Sequence, residues 1–141
     1  VATSGVLGWQ VLQARGAEDA RGEALAAAQG VVPKVLSYDY RHISRDFAEA
    51  REGLTPGFGA KYAKSENVVG PTARQYDVAV EASVAESSVV RADTDSAVVL
   101  MYVNQETSSD RLEGPRMDLA RVRVTMVESD GEWLVDDLDA L

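Results

Sequence analysis

Apolar positions recur at helical spacing through the first half of the chain and then switch to strict alternation. From Trp9 to Gln29, Ala, Leu, Glu, Gln and Arg dominate without a β-branched run, which predicts one helix whose alanine-rich face suits close packing. Gly30 and Pro33 predict an interruption, either a kink or a new turn with Pro33 at its first position. Ser44 is placed to cap a second helix, with Asp46 in its first turn and Ile43, Phe47, Ala50 and Leu54 on one face. Thr55-Pro56 predicts the start of a third helix, carrying Phe58, Tyr62 and Val69 until Gly70-Pro71 ends it.

From Tyr76 the period is two. Tyr76, Val78, Val80, Ala82 and Val84 alternate with Asp77, Ala79, Glu81, Ser83 and Ala85, so a long strand buries one face. The alternation slips between Glu86 and Val89, as a bulge would require. Asp93-Thr94-Asp95 has turn chemistry, and Ala97 to Val103 is the near-continuous apolar run of a central strand. A polar loop from Thr107 to Pro115 precedes a third strand, Met117 to Val127, with Ala120, Val122, Val124 and Met126 on one face. Asp130-Gly131 predicts a hairpin into a fourth strand, Trp133 to Leu138. Helices followed by antiparallel strands define an α+β domain: a cystatin-like or NTF2-like cone, one long helix and two shorter ones on a curved four-stranded sheet.

Composition narrows the function classes. The 141 residues hold 14 Lys and Arg against 23 Asp and Glu, a net charge of −9, which disfavours nucleic-acid binding and charge-driven docking on anionic lipid. With no cysteine and one histidine, thiolate sites, disulfides and two-histidine metal motifs are excluded. Val1 to Leu12 is uncharged and fairly apolar but shorter than the roughly 20 residues of a membrane span. It reads either as the tail of a transmembrane anchor with Trp9 at the interface, or as an ordinary helix start. The first residue is Val rather than Met, so a preceding anchor segment is the expectation, with residues 13–141 forming the domain.

Several segments taken in order carry a resemblance. Leu36-Ser37-Tyr38-Asp39-Tyr40, Asp46-Phe47, Leu54-Thr55, Phe58 with Tyr62, Val103-Asn104-Gln105 with Thr107, Arg121-Val122-Arg123-Val124 and Gly131-Glu132-Trp133-Leu134-Val135-Asp136-Asp137-Leu138 together resemble the Mce-associated membrane proteins of actinobacteria. The likeness covers the chain from about Leu25 to the end. It implies a single-pass N-terminal membrane helix followed by an extracytoplasmic NTF2-like or VirB8-like domain, an accessory to an Mce-type importer of sterols or fatty acids. Transporter components are then the expected partners. The break at Gly30 to Pro33 departs from the unbroken helix of that family.

Candidate chemistry is sparse. Asp39 between Tyr38 and Tyr40 has the makings of a pocket acid suited to proton abstraction, and equally of a turn cap with the phenols packed on the sheet. His42, beside Arg41, reads as a solvated turn residue. Tyr38, Asp39, Tyr62, Tyr102 and Asn104 are the best-placed polar groups for a ligand between the third helix and the sheet. Arg121 and Arg123 share one strand face and are expected to pair with Glu81 or Asp137, and Asp136, Asp137 and Asp139 read as a solvated acidic edge. There is no phosphate-binding glycine loop, no G-x-S-x-G or H-E-x-x-H, and no basic-aromatic strip. The expectation is a non-catalytic scaffold without metal or cofactor that uses its sheet face and the Thr107 to Pro115 loop, with a homodimer also possible. The alternatives are a small-molecule-binding or isomerase-type domain and a VirB8-like secretion-channel assembly factor.

Overall fold

In a computed structural model the chain is described from Ala2 to Leu141, with side chains described from Gly16 onward. The α+β class holds, with three helices: α1 (Ala2–Val35), α2 (Ile43–Arg51) and α3 (Pro56–Gln75). The strands are β1 (Tyr38–Asp39), β2 (Ala79–Ala92), β3 (Ser96–Ser108), β4 (Arg116–Ser129) and β5 (Glu132–Ala140), in a sheet ordered β1-β2-β3-β4-β5. All named neighbours run antiparallel.

The sheet therefore has five strands rather than four. The extra one is two residues long, too short to show a period, and it exists because Tyr38 and Asp39 pair with Val80 and Ala79. Tyr40 N–H extends the contact by donating to Val78 O at 3.1 Å.

Neither proline ends its helix. α1 runs through Gly30 and Pro33, and α3 runs through Gly70 and Pro71. Each proline removes one helical N–H, whose acceptor would be the carbonyl four residues back. Gln29 and Asn67, which own those carbonyls, are exposed, so water can serve them. The Pro33 carbonyl is itself covered by Ser37 Oγ, which donates to it at 2.5 Å and accepts from Ala82 N–H at 2.9 Å. Ser44 is likewise not the cap of α2. His42 holds that position without a side-chain cap bond, and Ser44 lies inside the helix.

The alanine face of α1 behaves as its spacing predicts. Ala20, Ala24, Ala28 and Val32 recur every fourth residue and are buried against the sheet, where Val99, Met101, Val103, Val122, Val124, Met126 and Val135 complete the core. Small side chains on the helix let its backbone approach that valine layer closely. Trp133 Nε1 donates to Glu23 Oε2 at 3.1 Å, tying the helix to β5. Ile43, Phe47, Ala50 and Leu54 are all buried, as their stripe requires.

The predicted slip in the first long strand is real. Register shifts between Val84 and Glu86 and between Val89 and Arg91 curve β2 around α1. The predicted loop is shorter than Thr107 to Pro115, because β3 continues to Ser108. Asp130 and Gly131 both have positive φ, 51° and 82°, the geometry of a two-residue hairpin turn.

Gly53 marks a close approach. A β-carbon there would lie 2.5 Å from Val31 Cγ2, and the segment it starts docks on β5: Val135 N–H donates to Gly53 O, and Thr55 N–H to Val135 O. Thr55 then caps α3, its Oγ1 accepting from Phe58 N–H at 3.3 Å and donating to Asp136 Oδ1 at 3.0 Å. Thr55→Ala removes the cap and leaves Asp136 without that donor, so a loss of about 1–2 kcal/mol is expected in urea unfolding, recovered largely by Thr55→Ser. An unchanged midpoint would show that the cap carries no weight.

Candidate functional site

Two open clefts lie side by side where the C-terminal end of α1 meets α2, α3 and the sheet. The first, of about 410 Å³, lies between α3 and the concave sheet face. Its floor is Phe47, Tyr62, Val69, Tyr38 and Val80, and Gln105, Thr107, Arg116 and Asp118 line the strand side. Phe47 stacks on Tyr62 with ring centroids 4.6 Å apart and planes 13° apart, and Tyr38 tilts against it at 6.4 Å. Tyr62 Oη donates to Val35 O at 3.2 Å. Burial, then the charges of Asp46 and Glu66, push the Tyr62 phenol well above its usual range, and burial raises Tyr38 too. Both phenols are therefore neutral, able to donate a hydrogen bond but not to act as bases. Arg116 Nε donates to Asp118 Oδ2 at 2.9 Å at the rim, so its charge is already partly met.

The second cleft, also about 410 Å³, is polar and lined by Lys34, Asp39, Arg41, Asp46, Glu49, Glu81 and Glu106, among others. Asp39 Oδ1 accepts from Arg41 Nε at 2.9 Å and from Arg41 N–H at 2.9 Å, and Oδ2 accepts from Arg41 Nη2. That guanidinium holds the Asp39 carboxyl down at about 2, below the ordinary 3.8. A carboxylate so stabilised is a weak base. His42 Nδ1 meets both oxygens of Asp46 at 2.9 Å, and Asp46 Oδ2 accepts from Asp39 N–H at 2.9 Å. Asp46 thus closes the turn from β1 into α2 as well as favouring the helix dipole.

The lowered Asp39 value has a signed consequence. A carboxyl depressed on folding adds stability above its unfolded value and loses it as pH falls through the folded one, here from about pH 4 to about pH 2. Arg41 is exposed, so the effect is the small one of a solvent-screened surface pair. Urea titrations at these two pH values should show a steeper acid loss in the native chain than in Asp39→Asn, and identical slopes would refute the coupling.

Among the five predicted ligand residues, Tyr38 and Tyr62 meet in the apolar cleft and Asp39 lies in its polar neighbour. Tyr102 and Asn104 are elsewhere. They alternate with Met101 and Val103, which are in the core, and so occupy the opposite, outer face of the sheet. Phe47, Ser65, Thr107, Arg116 and Asp118 are cleft residues that the sequence reading did not select. The strand members had a legible signal, since Gln105 with Thr107 and Arg116 with Asp118 are spaced two apart on strands. Arg123 faces Asp139 in register, whereas Asp137 faces Thr125, so the pairing expected for the two arginines is not the one the register makes. Among the described residues no cluster of three metal-ligating side chains forms, and no helix is long and apolar enough to cross a membrane.

These features define an α+β fold, three helices with a five-stranded antiparallel sheet, that resembles the fold of VirB8-like and IcmL-like proteins. An IcmL-like type IV secretion system protein from Legionella pneumophila superposes with a TM-score of 0.73 at 14% identity, covering 86% of this chain and 91% of that one. CagV, a VirB8 homolog from Helicobacter pylori, gives 0.60 at 13% identity over 82% and 96% of the two chains. At such identities the likeness is one of fold. No family model matches the sequence.

The chain belongs to the family of the outer membrane protein Rv1973 of Mycobacterium tuberculosis, to which it is 33% identical over 139 residues, 98% of this chain and 86% of that protein. It is also 34% identical over 140 residues to the uncharacterized Mycobacterium tuberculosis protein Rv1362c, matching 94% of this chain but spanning only 63% of that relative's length.

Proposed function

We propose that the chain is a non-catalytic, membrane-anchored extracytoplasmic accessory domain that holds or assembles other proteins of an Mce-type lipid importer. The observation that carries this reading is the conjunction of family and fold: a relative named as an outer membrane protein, and a domain shape shared along most of its length with type IV secretion system proteins. The ordered motifs that resemble Mce-associated proteins supply the choice of importer. α1 supports the tether, because it runs from Ala2 to Val35 without the break at Gly30 to Pro33 that set this chain apart from that family. Val1 to Leu12 is then the tail of the anchor; the side chains that would test this, Trp9 included, lie outside the described residues. Affinity purification of the full-length protein from native membranes should recover Mce transporter components. Recovery of secretion-channel subunits instead would favour the VirB8-like alternative, and recovery of neither would overturn both.

A second reading rests on the apolar cleft. Its volume of about 410 Å³ lies within the range of ligand pockets, roughly 300–1,000 Å³. Its aromatic floor and the Tyr38 phenol suit an apolar ligand with one hydrogen-bond acceptor, the Tyr62 hydroxyl being already donated to Val35 O. Saturable binding of a labelled sterol or fatty acid that Val69→Trp abolishes is the expected result under this reading, and no binding by the folded domain would dismiss it.

A further inference from the structure

β5 is an outer strand of the sheet, and its outward edge is closed over only part of its length. At Val135 the chain itself takes the edge, through Val135 N–H to Gly53 O and Thr55 N–H to Val135 O, with Leu54 running parallel to β5 there. Past Thr55 the covering segment turns into α3 and leaves the edge. The register shows what remains. Leu141 N–H donates to Arg121 O, so Asp139, opposite Arg123, and Asp137, opposite Thr125, are the residues whose backbone bonds reach β4. Leu138 and Ala140 alternate with them and turn their N–H and C=O groups outward. Among the described residues nothing bonds these outward groups. The opposite edge of the sheet is blunted instead: β1 pairs with β2, Ser37 Oγ accepts from Ala82 N–H, and Arg21 Nη1 donates to Val89 O.

Side chains on the open stretch divide by face. Leu138 and Ala140 lie on the inner face, in register with the buried Val124 and Val122, and Leu138 packs against the core. Asp137 and Asp139 lie on the outer face. Neither carboxylate has an ion-pair partner among the described residues, and Arg123 stands opposite Asp139 without pairing with it. The register shift beside Thr125 and Met126 falls at Asp136, whose carboxylate is held by Thr55, so the regular open edge begins at Asp137.

We propose that the edge of β5 from Asp137 to Ala140 is a docking site for an extended basic segment of another protein, which joins the sheet as a further strand. Residues directly opposite each other on neighbouring strands share a face. The incoming segment therefore sets apolar side chains beside Leu138 and Ala140, and Lys or Arg beside Asp137 and Asp139. Its backbone bonds the outward N–H and C=O groups, the source of affinity in strand addition, while the alternating side chains supply specificity. Charge decides against a second copy in this place. Two β5 edges paired about a two-fold axis centred on Leu138 would set Asp137 of one copy against Asp139 of the other, and centred on Asp139 would set the two Asp139 side chains together. Each copy also carries a net charge of −9, which a basic segment complements and a second copy repels. The surface is separate from both clefts and asks only for a protein partner, so it stands apart from the choice of importer.

The test is amide hydrogen exchange, followed by NMR, of the 141-residue chain with the acetylated, amidated peptide Gly-Lys-Val-Lys-Val-Lys-Gly and with its counterpart carrying Glu for Lys. In the free chain Leu138 and Ala140 amides should exchange fast and Asp137 and Asp139 amides slowly. Saturating Lys peptide should slow the first two about tenfold and leave the other two unchanged. It should bind at least about tenfold more tightly than the Glu peptide, with a preference that shrinks as salt rises. Asp137→Asn together with Asp139→Asn should remove that preference. Ala140→Pro deletes an outward N–H that β4 does not use, so circular dichroism should show a folded chain and peptide binding should be lost. Equal binding of the two peptides, unchanged exchange at Leu138 and Ala140, or binding that survives Ala140→Pro would overturn the proposal. So would concentration-dependent slowing at those two amides without peptide, an outcome that gives the edge to a second copy.

Discussion

Phe47→Ala should cost about 3–5 kcal/mol of folding stability, a large share of the 5–15 kcal/mol that a domain of this size holds in total. Phe47 is buried on α2 between two aromatic neighbours, stacked on Tyr62 and tilted against Tyr38. Truncation removes the transfer free energy of a ring and the stacking contact, and Tyr62 has no other ring to lean on among the described residues. The space left behind merges with the adjacent cleft, so water enters and the cavity does not stay dry. Urea unfolding at neutral pH should show the midpoint falling with the slope unchanged. Phe47→Leu should keep most of the volume and lose about 1–1.5 kcal/mol. A loss below about 1 kcal/mol for the alanine variant would mean that the cleft is not built around this ring. The same variant bears on function: a scaffold that remains folded keeps its partners, whereas an apolar ligand loses part of its floor.

Met101→Ala should be comparably damaging, about 2–5 kcal/mol, because Met101 is fully buried at the middle of β3. In register it lies between Ser87 and Val122, in the layer covered by the alanine face of α1. Helix backbone and sheet already approach closely there, so little can collapse into the void. Met101→Leu conserves volume and should cost less than about 1.5 kcal/mol. Tyr102, the next residue, points the opposite way, and Tyr102→Ala in the monomer should stay within about 0.5–1 kcal/mol. Thermal and urea unfolding of the pair measures the alternation directly. Equal losses at 101 and 102 would contradict the assignment of inner and outer faces.

Much of this architecture was legible because local chemistry and tertiary demand agree. The Ile43, Phe47, Ala50 and Leu54 stripe, the Thr55 cap, the Asp130-Gly131 turn and the slip in β2 each depend on a spacing or a backbone preference written within a few residues. The alanine row of α1 was readable for the same reason. Where sequence reasoning went astray, the deciding partner was distant. Pro33 and Pro71 carry strong local stop signals, yet packing on both sides of each outweighs one lost helical bond. β1 has no period to read and exists only through Val80 and Ala79. Ser44 yields the cap position to His42 because Asp46 closes that turn from inside the helix.

The candidate site was legible in part. Tyr62 was readable from the periodic stripe of α3, but Tyr38 reaches it only through the pairing of β1 with β2, and the joining of Phe47, Gln105 and Thr107 to them requires the sheet to curve over α3. The separation of Tyr102 and Asn104 from that group follows from a period-two rule that the sequence already contained, once the buried face of β3 is known.

By itself the sequence determined the class of fold, the order and most of the extent of its elements, which face of each is apolar, and an acidity that disfavours nucleic acid. These are short-range properties of hydrophobic period, capping and net charge. Tertiary structure alone decided that the sheet has a fifth strand, that the two prolines are carried inside helices, and that Glu86, Tyr102 and Arg121 align in one row. Each of these depends on a contact between residues far apart in the chain, whose free energy no local pattern records.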